Sequence, residues 1–418
     1  VNDRLYERAL TQTLTRALER APVVLLNGAR QTGKTTLARQ AGERIGMTYL
    51  TFDEVNLLAA ARSDPQGFAA ALPERAILDE VQLVPEIFRA LKLQIDRDRR
   101  PGRFLLTGSA DILLLPNLSE SLAGRMEILS LWPLSQAEIE GNTALNVVDR
   151  LFAPEPLPFR TSPFDREDLM RRILTGGYPE PVSRIDAVER AAWFGSYLTT
   201  IVHRDLRDIA GANIEGLSQM PRLLSLLASR AGGLLNQADI ARGAGMAYTT
   251  LLRYLALLEA SFLVQDIPAW HVNPGLRLTK APKTFLIDTG LLGHLRNADP
   301  ARIDADPSLR GAMVENFVAM ELRKAAGVSA VRASLSHYRT RDGMEVDCVL
   351  EDSGGRIVGI EVKSSATLQN ADFRGLRSLA DAVGERFLRG VILYGGEMTL
   401  PFGEGLQAAP LSFLWKPA

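Results

Sequence analysis

The chain has 418 residues, with 48 lysines and arginines against 49 aspartates and glutamates, so its net charge of −1 exerts no global pull toward a polyanion or a membrane. A hydrophobic fraction of 46% with 23% charged residues excludes disordered and collagen-like architectures. A single cysteine, Cys348, excludes an intrachain disulfide framework and a cysteine-rich zinc site, and the four histidines lack metal-ligand spacing. At about 100–200 residues per domain the length predicts roughly two to four domains. No run of about 18 apolar residues occurs, and residues 1–20 are charged and helix-patterned, so the expectation is a cytoplasmic protein that neither crosses a membrane nor is exported.

In chain order, residues 23–26, 49–52, 76–78 and 104–106 are short apolar runs separated by amphipathic stretches, the pattern of a parallel sheet with crossover helices. This α/β unit closes near Trp132-Pro133-Leu134, and residues 1–150 read as one domain. Prolines at 154, 156 and 158 favour an extended, exposed path, so 151–165 reads as a proline-rich linker. Helical patterning over 166–215, broken at Gly176-Gly177-Tyr178-Pro179, predicts a helical lid or linker. Residues 216–304 predict a winged-helix domain: a short helix around Gln237 to Ala241, a break at 243–245, a helix over 248–259, and wing strands at 262–267 and 284–287. Over 305–418 come a helix with Met313, Phe317 and Met320 on one face, two strands joined through Asp342-Gly343, a strand at 357–363, a helix at 373–383 and a strand at 391–394. The order is αβββαβ.

After the first apolar run stands Gly28-Ala29-Arg30-Gln31-Thr32-Gly33-Lys34-Thr35, a phosphate-loop pattern, followed by a helix from Thr36. Gly28 and Gly33 let backbone N–H groups wrap phosphate oxygens, Lys34 neutralises the terminal phosphates, and Thr35 offers a hydroxyl to Mg²⁺. The expected cofactors are ATP and Mg²⁺. The run at 76–78 ends in Asp79-Glu80, at the edge where a parallel sheet places its ligand crevice. Asp79 can orient Mg²⁺ through water and Glu80 can polarise the attacking water, although an acidic pair there also caps helices. Thr107-Gly108-Ser109 ends another strand in polar groups able to sense a terminal phosphate.

The phosphate loop, Leu-Asp-Glu-Val-Gln (78–82), Leu-Thr-Gly-Ser (106–109), Leu-Ala-Gly-Arg (122–125), Gly-Gly-Tyr-Pro-Glu (176–180) and Ile-Asp-Thr-Gly-Leu (287–291) together resemble a large group of prokaryotic AAA-type ATPases. The C-terminal half of that group is called domain of unknown function 4143. The resemblance spans nearly the whole chain with its motifs in the same order. It implies an ATPase that assembles as a ring or dimer, with Ser109 as sensor and Arg125 as a catalytic finger reaching a neighbour's site. An ordinary ion-paired arginine is the other reading of Arg125. No sensor-two arginine emerges from the lid helices.

In the tail, period-two alternation sends Glu361 and Lys363 to one face of a strand and Ile360 and Val362 to the core. Asp347 lies on the neighbouring strand and Glu315 on the preceding helix. This arrangement resembles the PD-(D/E)-x-K nuclease superfamily, which implies a restriction-endonuclease-like domain with Asp347, Glu361 and Glu315 around Mg²⁺ and Lys363 activating water. A solvated ion-pair face and a fold kept only as a scaffold are the alternatives.

Thr249, Thr250 and Arg253 on the second winged-helix segment, with Lys280 and Lys283 near the wing, suit phosphates and base edges; winged helices also dock proteins. Arg89, Lys92, Arg97, Arg99, Arg100 and Arg103 form a second basic cluster, diluted by Asp96 and Asp98. The charged stretch 203–208 reads as a helical salt-bridge face. The expected function is an ATPase acting on branched or single-stranded DNA, in branch migration or repair. A nucleotide switch that recruits a protein partner and an ATP-regulated nuclease are the alternatives.

Overall fold

The computed structural model describes residues 5–110, 122, 124–163, 165–184, 186–206, 217–278 and 280–417. β1 (Val23–Asn27), β2 (Thr48–Thr51), β3 (Ala76–Asp79), β4 (Phe104–Gly108) and β5 (Met126–Ser130) form a sheet in the order β2-β3-β4-β1-β5. Every pairing in it is parallel. Alternate side chains of β1 enter opposite cores: Val24 and Leu26 pack with α1 (Leu10–Arg20) and α2 (Lys34–Glu43), and Val23 and Leu25 with α3 (Ile87–Arg97). Because β4 lies between β1 and β3, the carboxyl ends of all three open on one crevice. Glu127 and Ser130 break the apolar run of residues 126–130, which hid β5, a half-buried edge strand, from an apolar-run reading.

Residues 153–161 run exposed at Pro154, Pro156 and Pro158, as the prolines predict, but the segment is tied down rather than free, with Leu157 buried. α4 (Val147–Phe152) buries Leu151 and Phe152, and the proline-rich path that follows has no helix or sheet of its own to satisfy its peptide groups. The C-terminal sheet satisfies them instead. Gln407 pairs with both the N–H and the carbonyl of Leu157, at 2.9 and 2.8 Å, and Arg389 donates to the Glu155 carbonyl at 2.9 Å. β6 (Arg160–Thr161) then pairs antiparallel with β13 (Met398–Pro401). The segment is a strap across the tail.

The middle contains α5 (Arg166–Thr175), α6 (Ala187–Thr200), α7 (Met220–Ser229), α8 (Gln237–Ala244) and α9 (Tyr248–Ala260). β7 (Val264–Ile267) and β8 (Lys283–Leu286) form the antiparallel wing, and Leu234 bridges to Lys283. After α10 (Thr289–Leu295) the tail runs α11 (Pro307–Ala326), β9 (Ser334–Arg339), β10 (Glu345–Glu351), β11 (Ile357–Lys363), α12 (Arg374–Val383) and β12 (Phe387–Tyr394). That is the αβββαβ order, extended by β13 and β14 (Leu406–Pro410) into the sheet β6-β13-β14-β12-β11-β10-β9.

One hydrophobic core runs through middle and tail: Leu224, Leu251, Leu286, Phe317 and Ile360 belong to the same cluster. The Asn316 side chain bonds both the N–H and the carbonyl of Leu286, at 3.0 and 2.8 Å, pinning the wing to α11. Among the described residues no helix is long and apolar enough to cross a membrane.

Candidate functional site

β1 is buried throughout, and the chain leaves it at Gly28, where φ is 147° and a Cβ would stand 2.2 Å from the Leu131 carbonyl oxygen. No side chain fits there. Gly33, with φ 93°, precedes the first residue of α2, so the loop closes directly over a helix N-terminus whose first-turn N–H groups face an anion. Ala29 and Thr32 are buried, while Arg30 is half-buried and Gln31 and Thr36 are exposed at the rim. Lys34 Nζ donates to the Ala29 carbonyl at 2.8 Å, folding the loop back on itself.

At the end of β3, Asp79 accepts hydrogen bonds from Thr35 Oγ1 at 3.0 Å, from the Tyr49 hydroxyl at 2.7 Å and from the Thr107 hydroxyl. Glu80 adopts a left-handed φ of 58°, costing about 1 kcal/mol or more for a residue with a Cβ. That turn sets its carboxylate 3.1 Å from Ser109 Oγ and against the Gln82 amide, which itself donates to Ser109 Oγ at 3.0 Å. Lys34, Thr35, Asp79, Glu80 and Ser109 thus share the crevice at the carboxyl edge of the sheet. Burial and the Asp79 charge hold the Tyr49 phenol well above its ordinary pKa, so it remains a donor.

Tyr49 and Arg8 went unnoticed in the sequence. Arg8 is half-buried beneath the loop, donating to the carbonyls of Thr32 and Trp132, each at 2.7 Å, and pairing with Glu138 at 3.0 Å. The Tyr197 hydroxyl bonds the Arg30 carbonyl at 3.4 Å and the Tyr178 hydroxyl at 2.8 Å, tying the loop to the helical middle. The glycine motif serves the same junction. The Gly177 carbonyl accepts from the Leu134 N–H at 2.7 Å and the Gly177 N–H donates to Asp288 at 2.6 Å, and Cβ atoms at Gly176 and Gly177 would each meet an oxygen at 2.2 Å.

Arg125 precedes Met126, which pairs with Val23 at the start of β1, so it stands at the opposite edge of the sheet from the phosphate loop. Its guanidinium pairs with Asp96 at 2.6 Å. Residues 111–121 and 123 lie outside the described residues, as do 207 and 208 of the charged stretch. In the basic cluster Arg100 pairs with Asp98 and Glu74, and Arg103 donates to the Gln94 carbonyl at 3.0 Å. On α9, Thr249 and Arg253 are exposed and Thr250 is half-buried, beside the exposed Tyr248 and Leu252. Lys280 donates to the Arg339 carbonyl at 3.0 Å.

Lys283 is not a surface contact of the wing. It is buried, with Nζ at 2.8 Å from Glu315, 2.6 Å from Glu345 and 3.2 Å from Asp347. Asp347 also accepts from the Val362 N–H at 2.9 Å, and Glu361 pairs with Lys363 at 2.8 Å. Burial and the Asp347 charge push the Glu361 carboxyl up to about 8 and that of Glu315 to about 7. The tail therefore gathers all four predicted residues, yet the Mg²⁺ site expected of them does not fit: an ammonium already sits among the acids. No group of three or more His, Cys, Asp or Glu among the described residues is disposed to hold a metal ion.

A phosphate loop on a parallel sheet, with an acidic strand end across the crevice, defines a P-loop ATPase fold of the AAA type. Residues 20–140 match the family described as AAA domain, 166–302 match DUF8612 and 310–414 match DUF4143. An uncharacterized protein of Mycobacterium tuberculosis is 35% identical over 399 residues, covering 95% of this chain and 82% of that one. A Haemophilus influenzae relative is 23% identical over 301 residues, covering 65% and 68%. The chain belongs to this family of AAA-domain proteins with a DUF4143 tail. Among solved structures, a Walker-type ATPase of Pyrococcus abyssi is 16% identical, covering 71% of this chain and 97% of that one, with a TM-score of 0.40. The Thermotoga maritima RuvB Holliday junction branch migration motor is 18% identical, covering 63% and 90%, with a TM-score of 0.30.

Proposed function

We propose that the chain is a cytoplasmic, Mg²⁺-dependent ATPase that works on DNA as an assembly of identical copies. The observation supporting ATP hydrolysis is the crevice in which the Thr35 hydroxyl and Asp79 carboxylate lie 3.0 Å apart, with the Glu80–Ser109 pair beside them. These are hard oxygen donors at a helix N-terminus, a set that fits a magnesium nucleotide. Bound Mg²⁺-ATP supplies the phosphoryl group and neutralises charge on its oxygens. The loop N–H groups orient the phosphates, and Lys34 exchanges the Ala29 carbonyl for phosphate oxygen. Thr35 and Asp79 would hold the metal. Glu80 orients the attacking water and takes its proton, and Ser109 fixes the Glu80 carboxylate. Lys34→Ala should abolish nucleotide binding in equilibrium titration; unchanged affinity would contradict this assignment.

The DNA reading is supported by the winged helix, whose second helix turns Thr249 and Arg253 to solvent. A low-salt gel shift and DNA-stimulated turnover test it, and the absence of both would contradict it. A second reading, a slow nucleotide switch that recruits a protein, is favoured by Tyr248 and Leu252, 49% and 38% exposed on the same helix. Its turnover would be indifferent to DNA.

A further inference from the structure

The acid cluster of the tail holds a cation that comes from another part of the chain. Lys283 opens β8, and its Nζ lies 2.8 Å from Glu315 on α11, and 2.6 and 3.2 Å from Glu345 and Asp347 on β10. Three carboxylates from two elements converge on one buried ammonium. This is the donor chemistry that would otherwise attract a divalent cation, and the charge is already supplied.

The lysine is held from several sides. Leu235 N–H bonds the Pro282 carbonyl at 2.8 Å, Gly232 N–H bonds the Thr284 carbonyl at 2.9 Å, and Asn316 clamps Leu286. Gly232 leaves room for the Glu315 carboxylate, which a Cβ there would approach to 3.2 Å. The register of β8 therefore directs Lys283 into the cluster.

We infer that the Lys283 ammonium is the resident cation of this cluster, standing where a nuclease-like site would take a divalent metal, so that the acids form a metal-indifferent joint between wing and tail. Glu361 and Lys363 complete the charge arrangement as their own pair, at 2.8 Å. The inference is independent of ATP hydrolysis, because none of these residues belongs to the phosphate-loop crevice.

The test is a Mn²⁺ titration of the nucleotide-free full chain by calorimetry, with thermal melts with and without Mn²⁺. Any Mn²⁺ at Thr35 and Asp79 is common to every variant and cancels in the comparison. Wild type should bind no Mn²⁺ that Asp347→Asn removes. Lys283→Ala should gain about one Mn²⁺ per chain and a melting temperature that rises with Mn²⁺, and Lys283→Ala/Asp347→Asn should lose both. Lys283→Arg should remain indifferent to the metal. If Lys283→Ala is too unstable to purify, Lys283→Ala/Glu315→Gln, with one fewer uncompensated charge, carries the same titration. Wild-type Mn²⁺ binding that depends on Asp347, or a folded lysine-free variant that gains none, would overturn the inference.

Discussion

Asp79 is held by three hydroxyls, those of Thr35, Tyr49 and Thr107, which arrive from three separate elements. Tyr49→Phe keeps the ring and removes one hydrogen bond to a carboxylate, worth about 1.5–3 kcal/mol. The expected outcome is about tenfold lower kcat with a raised Mg²⁺ requirement, while nucleotide affinity without Mg²⁺ is unchanged. Unaltered kcat and Mg²⁺ dependence would show that the phenol does not position Asp79. Lys34 and Thr35 were legible in the sequence because their chemistry is local, a loop between a strand and its own helix. Tyr49 was not, since its role depends on the β2–β3 register, which pairs Thr51 with Asp79 and brings the phenol alongside. Lys283 was misread for the same reason: its partners are Glu315, Glu345 and Asp347, all distant in sequence, and local pattern made it a wing cation.

Between elements, the ATPase sheet joins the helical middle through the Leu134–Gly177 backbone bond as well as through side chains such as Tyr197. Gly177→Ala would place a methyl 2.2 Å from the Leu134 carbonyl oxygen. A loss of about 3 kcal/mol is expected, read as a lowered melting temperature, and a wild-type melt would contradict the junction described. The joint between wing and tail should instead respond to pH. Glu315 and Glu361 carry folded pKa values of about 7 and about 8, above the ordinary 4.5. Their contribution is complete below the unfolded value and is lost as pH rises through the folded ones. His337, depressed to about 4 by burial and by Lys283, has the opposite sign but acts only below its ordinary 6.5. Melting temperature should therefore fall from about pH 4.5 to about pH 8, less steeply below 6.5 where His337 offsets one carboxyl, and fall less in Glu361→Gln. A flat or rising profile would contradict these environments. The strand and helix order of the tail was visible in its hydrophobic periodicity. The tethering of the strap at 153–161 was not, because the peptide groups of Glu155 and Leu157 are satisfied by Arg389 and Gln407, more than two hundred residues away.

For the whole molecule, two hydrophobic clusters serve the ATPase sheet, and one runs unbroken through middle and tail. Composition suggested separate modules, whereas packing joins the winged helix to the nuclease-like sheet through Leu286 and Asn316. Arg125 stands at the far edge of the ATPase sheet from its own phosphate loop, so the finger role proposed for it would have to be exercised on another copy's site. Arg125→Ala should therefore bind nucleotide normally, lose at least about tenfold in turnover, and regain part of it when mixed with Lys34→Ala, whose intact arginine faces the intact site. Wild-type turnover by Arg125→Ala alone would leave the residue as the partner of Asp96 and nothing more. The most direct test of the account is phosphate release by wild type and Glu80→Gln at saturating Mg²⁺-ATP, with nucleotide binding measured on the same samples. Wild type should hydrolyse ATP, and Glu80→Gln should bind nucleotide equally and release no phosphate; equal turnover in the two proteins, or none in wild type, would contradict the ATPase assignment.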